Sequence, residues 1–140
     1  MERGAQVVAL ARAWIGTPYR HQASCRGAGC DCLGLIRGVW RELYGTEPEA
    51  AGAYTRDWSE PERDERLWRA AARHLLPAER EAEGDVLLFR MRDGGVAKHL
   101  GIAGRVGPGA SLIHAYSGHG VVESPLSAPW ARRVVARFRF

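Results

Sequence analysis

Gly29-Cys30-Asp31-Cys32-Leu33-Gly34-Leu35 is the stretch on which the reading of this chain turns. It joins residues 19–31, a run with Gly27, Gly29 and polar side chains but no hydrophobic period, to one in which Leu35, Ile36, Val39, Trp40 and Leu43 recur at helical spacing. A helix is therefore expected to open at Asp31 or Cys32 and to end near Gly45. Asp31 is its natural cap, and the small Gly34 lets another element approach the first turn closely. A cysteine in that position faces unpaired backbone N–H groups and the positive end of the helix dipole, both of which favour thiolate over thiol. That is how a weak acid of pKa ~8.5 becomes a nucleophile near neutral pH.

Working outward, Val7, Leu10, Ala11, Trp14 and Ile15 predict a first helix over residues 2–15, stopped by Gly16, Thr17 and Pro18. Downstream of the cysteine helix, Ser59 with Glu62 three residues on and Pro61 in the first turn form a capping box. That box opens a third helix running to about Leu76, which buries Leu67, Trp68, Ala71, Leu75 and Leu76 and carries His74 as surface or core filler. From Gly84 onward the pattern changes to short runs rich in Val, Leu, Ile and Phe, at 85–91, 99–106, 111–116, 121–124 and 133–140, separated by glycine-rich turns. The last alternates Val135, Phe138 and Phe140 with arginines, as a strand with one wet face would. Helices first and strands afterwards predict an α+β domain over residues 1–140, with helices packed on one side of a mostly antiparallel sheet.

Composition bounds the function classes. With 46% hydrophobic and 26% charged residues over 140 positions, the chain has globular proportions and room for one core. The net charge of +4 comes almost wholly from arginine, since Lys98 is the only lysine. These arginines are scattered and not interleaved with aromatics, so the charge reads as the mark of GC-rich coding and no nucleic-acid partner is expected. Residues 1–16 carry Glu2, Arg3 and Arg12 among their apolar positions and lack the form of a signal peptide. No window approaches the roughly 20 apolar residues of a membrane span, so membrane insertion is not expected. Synthesis in the cytoplasm without a signal peptide is the expectation.

Three cysteines, Cys25, Cys30 and Cys32, leave at least one thiol outside any intramolecular pairing. His21 with the three gives H-x3-C-x4-C-x-C, which has ligands enough for zinc but not the knuckle spacing of structural sites. No metal or cofactor is expected, and Cys25 and Cys30 read as ordinary loop thiols, although a disulfide between them is sterically conceivable. A thiolate at Cys32 needs a partner to take and return a proton. His99, in Lys98-His99-Leu100-Gly101-Ile102, begins one predicted strand, and His114, in Leu112-Ile113-His114-Ala115, lies inside the next. Each alone reads as a satisfied core histidine; together with Cys32 they read as a base and the group that orients it. His119, between two glycines, fits a hairpin turn.

Gly16-Thr17-Pro18-Tyr19-Arg20, Asp31-Cys32-Leu33-Gly34-Leu35, His99-Leu100-Gly101-Ile102 and Ile113-His114-Ala115, in that order, resemble the motifs of the NlpC-type cell-wall cysteine peptidases. The resemblance covers residues 5 to 125, and from Gly16 to Tyr44 it is strongest toward members encoded in tail gene clusters of phages and gene transfer agents. It implies a papain-like fold, Cys32 as nucleophile, His99 as general base, His114 as its orienter, and Tyr19 and Asp31 lining the site. The implied substrate is the peptidoglycan stem peptide, cut between D-γ-glutamate and the following diamino acid. The implied setting is a phage-like tail, with hub or baseplate proteins as partners, acting on the periplasmic wall. Two departures stand out. Leu33 occupies a position where the family commonly has serine, and Arg20-His21-Gln22-Ala23 replaces a common Arg-Trp-Gly-Gly, which would alter the pocket rim. A tail module with little activity, and an amidase or acyltransferase on the same Cys-His core, are the alternatives.

Overall fold

The computed structural model describes residues 2–48, 54 and 63–140. Helix α1 (Arg3–Arg12) is followed by a two-stranded hairpin of β1 (Ser24–Cys25) and β2 (Gly29–Cys30), and then by α2 (Cys32–Tyr44). After α3 (Arg66–His74) come β3 (Leu76–Pro77), β4 (Val86–Arg90), β5 (Ala97–Ala103), β6 (Ser111–Tyr116) and β7 (Gly120–Pro125). A short α4 (Ala128–Ala131) precedes the last strand, β8 (Val134–Arg139). The main sheet is antiparallel in every described pairing, in the order β3-β8-β4-β5-β6-β7. This is the predicted α+β architecture.

One face of the sheet carries α1, α2 and α3. Val7, Val8 and Ala11 of α1, Leu35, Ile36 and Val39 of α2, and Leu67 and Ala71 of α3 meet Val86, Leu88, Leu100, Ile102, Ile113 and Phe138 in the main apolar cluster. The alternate residues Leu87, Phe89, Ala103 and Leu112 point the other way and form a second cluster with Leu126, Trp130 and Val134. Strand β4 is thus covered on both faces, which explains why it reads as an unbroken apolar run. Among the described residues no helix is long and apolar enough to cross a membrane.

Several expectations are corrected. Helix α1 ends at Arg12 rather than Ile15, and Ile15 is 46% exposed while Trp14 is buried. The segment expected to be a loop holds the β1–β2 hairpin, pinned to α2 by Arg41, which donates to the Ser24 carbonyl at 2.7 Å. The Ser59 capping box lies outside the described residues; the helix it was to open is seen from Arg66 to His74, with Leu75 already extended. Strand β8 lacks one clean wet face. A register shift opposite Leu88 and Phe89 skips Val135, so Val134 joins the second cluster while Ala136 and Phe138 face the first. Arg137 and Arg139, between them, reach the buried Asp85, Arg137 with both Nε and Nη2 at 3.1 and 2.9 Å.

Candidate active site

Cys32 is the first residue of α2, as the cap reading requires. Asp31 is extended, and its Oδ1 accepts from the Gly34 N–H at 2.7 Å, satisfying one of the donors a helix start leaves open. The β1–β2 hairpin fixes the same turn from outside. The Ala23 carbonyl accepts from the Asp31 N–H and lies where a side chain at Gly34 would go, 1.9 Å from an ideal Cβ. Only glycine permits that approach. At the far end, Gly45 closes the helix at φ 82°, with its N–H on the Arg41 carbonyl.

The sheet opens opposite this helix tip. Strands β5 and β6 pair only at Ile102↔Ile113 and Ala103↔Leu112, although β6 stays paired to β7 along its whole length. Beyond Gly101 the two strands part, and the backbone N–H groups of Leu100, Leu33 and Cys32 itself favour the thiolate of Cys32. His99 and His114 bridge the gap at its outer side, His99 Nε2 to His114 Nδ1 at 2.8 Å. Gly101 makes room for that bridge, since a Cβ there would stand 2.3 Å from Leu112 Cδ1 and 3.2 Å from His114 Cβ.

The hydrogen bonds fix which tautomers can do acid-base work. Because His99 Nε2 is engaged with His114, the ring nitrogen left for a reacting group is Nδ1. For Nδ1 to accept a proton, Nε2 must carry its hydrogen and donate to His114 Nδ1. His114 then holds its own hydrogen on Nε2, 3.4 Å from Ser124 Oγ. An aromatic sheath encloses the pair. Trp130 of α4 packs edge-on against His114 with ring centres 4.9 Å apart and lies 5.6 Å from His99, while Phe89 is 5.5 Å from His99. Tyr116 is sandwiched between His114 and His119, at 5.5 and 5.3 Å.

Burial decides the charge state of the site. Desolvation pushes the Cys32 thiol up to about 12, with the Asp31 carboxylate adding to the rise, against the pull of the three backbone N–H groups. Desolvation likewise pushes His99 down to about 3, with His114 adding, and His114 down to about 4, with His119 adding. The helix-start argument, which favours thiolate, is outweighed here because it ignores how deeply α2 seats its first residue against β5. Burial thus favours the neutral thiol and the neutral imidazole over the ion pair.

A cleft of about 200 Å³ is lined by Cys32, His99, Tyr19, Asp31 and Tyr116 among others. His114 stands behind His99, buried at 1% exposure, and does not line it. Tyr19 is carried in by the 16–20 segment, whose Gly16 and Thr17 pair with Val121 while Pro18 and Arg20 flank Cys30. Asp31 is more occupied than a free site carboxylate: besides Gly34 it accepts from the Gln22 N–H at 2.7 Å and the Tyr54 hydroxyl at 2.5 Å. Tyr54, Ser124, Trp130 and Lys98 were missed by the sequence reading. Tyr54 follows no periodic pattern, and Trp130 sits in a helix of four residues, too short to leave a period.

The other cysteines are set apart. Register places Cys25 opposite Gly29 and Cys30 opposite Ser24, so the two thiols leave opposite faces of the hairpin, one exposed and one buried, and all three thiols are free. Among the described residues no group of three or more His, Cys, Asp or Glu is placed to hold a metal ion.

A family model described as the NlpC/P60 family matches residues 16–139. The chain belongs to the NlpC/P60 family. Solved NlpC/P60 structures share its fold. The NlpC/p60 domain of the peptidoglycan hydrolase SagA is 24% identical with a TM-score of 0.64, over 99% of this chain and 100% of that one. An NlpC/P60 protein from Bacillus cereus ATCC 10987 gives 21% and 0.64 over 99% of this chain and 40% of its own. NlpC1 from Trichomonas vaginalis gives 21% and 0.65 over 97% and 43%. The chain thus spans less than half the length of the latter two. No curated protein matches it. Within this NlpC/P60 fold, the two departures from the family motifs have distinct settings. Leu33 packs against the main cluster, whereas His21 lines the cleft and lies within 2.9 Å of the Tyr54 carbonyl through Nε2.

Proposed function

We propose that this protein is a cysteine endopeptidase that hydrolyses peptidoglycan stem peptides, with Cys32 as nucleophile, His99 as general base and His114 as the residue that orients it. The observation that carries this reading is the sharing of one cleft by Cys32, at the tip of α2, and His99, whose Nε2 is held by His114. As the sulfur attacks the scissile carbonyl, His99 Nδ1 takes the thiol proton, and neutral His114 accepts from Nε2 and stabilises the imidazolium. Backbone N–H groups at the start of α2 face the oxyanion. The imidazolium then protonates the leaving amine, and water, activated by His99, releases the acyl-enzyme. Tyr19 lines the pocket for the acyl side. The bond cut is that between D-γ-glutamate and the next diamino acid.

Incubation with defined muropeptides under reducing conditions, beside Cys32→Ala, tests the assignment. A new free amine at that bond, seen by mass spectrometry and absent with Cys32→Ala, supports it. No cleavage by folded protein removes it in favour of a tail module, and transfer to an added amine without net hydrolysis would favour an acyltransferase. Delivery to the periplasmic wall by a phage-like tail rests on the motif resemblance over residues 16–44, and recovery of the protein with tail hub or baseplate proteins from purified particles tests it.

A further inference from the structure

His99 sits where its strand is held least by the ladder. On one side β5 and β6 pair only at Ile102↔Ile113 and Ala103↔Leu112, so residues 97–101 have no paired position on β6. On the other side Phe89 pairs with His99 and Arg90 with Ala97, which leaves Lys98 as the extra residue of a β-bulge. With the ladder partial on both sides, the His99 backbone depends on something other than strand pairing. Glu65, directly before α3, accepts from the N–H of buried Ala97 through Oε1 at 2.8 Å and from Arg90 Nη2 through Oε2 at 2.8 Å. Arg90 in turn donates through Nε to the Gly95 carbonyl at 2.7 Å, and its guanidinium lies 5.9 Å from the ring centre of Trp68. Glu65 stands in the N-cap position of α3 but makes no cap bond to its own helix. Its carboxylate reaches instead across 32 positions to the strand that carries His99.

We propose that Glu65 is a positioning residue for His99: with Arg90 it fixes the bulged start of β5, and so the direction in which the imidazole meets Cys32 and His114. The inference rests on the peptidase reading above for its effect on turnover, and concerns how that site is held rather than what it selects. Without the carboxylate the Ala97 N–H is buried unpaired and Arg90 loses its partner, so the bulge itself must shift to relieve them. A displacement of the base by about 1 Å costs on the order of a hundred-fold in rate.

The test compares wild type with Glu65→Ala, Glu65→Gln and Arg12→Ala, the last removing an ion pair to Glu123 away from the cleft. Three readings are taken: amide hydrogen exchange at 97–99, the ring 15N shifts of His99 and His114, which report their tautomers, and kcat and KM on L-Ala-γ-D-Glu-diaminopimelate. Each is referred to the folded fraction measured by urea unfolding. Glu65→Ala is expected to exchange at least about ten-fold faster at 97–99, to move both sets of ring shifts toward averaged tautomers, and to lower kcat about ten-fold to a hundred-fold with KM little changed. Glu65→Gln, which still offers an oxygen to Ala97, regains most of kcat, and Arg12→Ala leaves all three readings at wild type whatever stability it loses. Exchange and ring shifts unchanged in Glu65→Ala, or moved as far by Arg12→Ala, would make Glu65 a structural ion pair only and overturn the proposal. Wild type that cleaves no peptide removes the peptidase reading, and the clamp is then decided by exchange and ring shifts, which need no substrate.

Discussion

Acidification over a narrow range should destabilise this protein through its two site histidines. Burial holds His99 down at about 3 and His114 at about 4, against 6.5 for the exposed group. The unfolded chain therefore takes up protons as pH falls through 6.5 while the folded chain does not. Each histidine contributes stability that is fully present above pH 6.5 and is lost as pH falls from there toward its folded value. At pH 5.0 the unfolded histidine lies about 1.5 units above the solvent pH, which costs about 2 kcal/mol each at 1.36 kcal/mol per unit, about 4 kcal/mol together. That is a large share of the roughly 5–15 kcal/mol a domain has in all. Glu47 and Glu123, whose arginine hydrogen bonds hold them below the ordinary carboxylate value of 4.5, lose their contribution mainly below this window. Urea unfolding followed by circular dichroism at pH 7.5, 6.5, 5.75 and 5.0 reads the effect. His114→Gln, which keeps a neutral partner for His99, should lose only about half as much between pH 6.5 and 5.0. A wild-type free energy flat to within about 1 kcal/mol across that interval, or an undiminished loss in His114→Gln, would refute the neutral buried pair.

Because burial pushes the Cys32 thiol up to about 12, alkylation of Cys32 by iodoacetamide, read by peptide mapping to separate it from the exposed Cys25, should keep rising with pH from 6 to 9; a plateau reached below pH 7 would mean a preformed thiolate instead. Trp130→Ala opens the sheath around His99 and His114 to water, so the acid limb of kcat/KM should move up toward the ordinary histidine value, by about one unit or more, with Trp130→Phe close to wild type. Gly34→Ala must displace the Ala23 carbonyl at the turn that carries Cys32; a loss of about 1–3 kcal/mol in urea unfolding is expected, with any peptidase activity falling alongside. An unchanged midpoint would show that the β1–β2 hairpin yields freely.

The legible parts of the molecule were those set by local pattern. Helix α2 could be bounded at both ends because a cap, an apolar stripe and a terminal glycine are all local features, and β6 was placed at its observed bounds. Cys32 was singled out by its place at a helix start and His99 by its motif, although β5 begins two residues before His99, at Ala97. What the sequence did not disclose depends on contacts between distant segments. The charge state of Cys32 follows from its burial against β5, a partner 68 residues away, not from the dipole of its own helix. Tyr54 reaches Asp31 across 23 positions, and Trp130 reaches His114 from a four-residue helix. The bulge at Lys98 is visible only once Phe89 and Arg90 are seen to be paired with residues two apart on β5.

One feature of the sheet links the fold to the chemistry. A continuous β5–β6 ladder would spend the Leu100 N–H on β6 and leave the tip of α2 facing closed backbone. The strands instead part at Gly101, where the absence of a side chain lets His114 cross beneath His99. Without a β6 partner the Leu100 N–H favours the thiolate of Cys32, and Cys32 and His99 line one cleft. Parting the strands sacrifices ladder hydrogen bonds at the centre of the sheet, and the His99–His114 bond replaces part of that cross-strand connection with side chains. The bond therefore ties together the two strands that flank the cleft and, on the reading proposed above, holds His99 in the tautomer a general base needs. Replacing His114 by alanine should accordingly lower both activity and stability, whereas a polar residue able to accept from His99 Nε2 restores the second before the first.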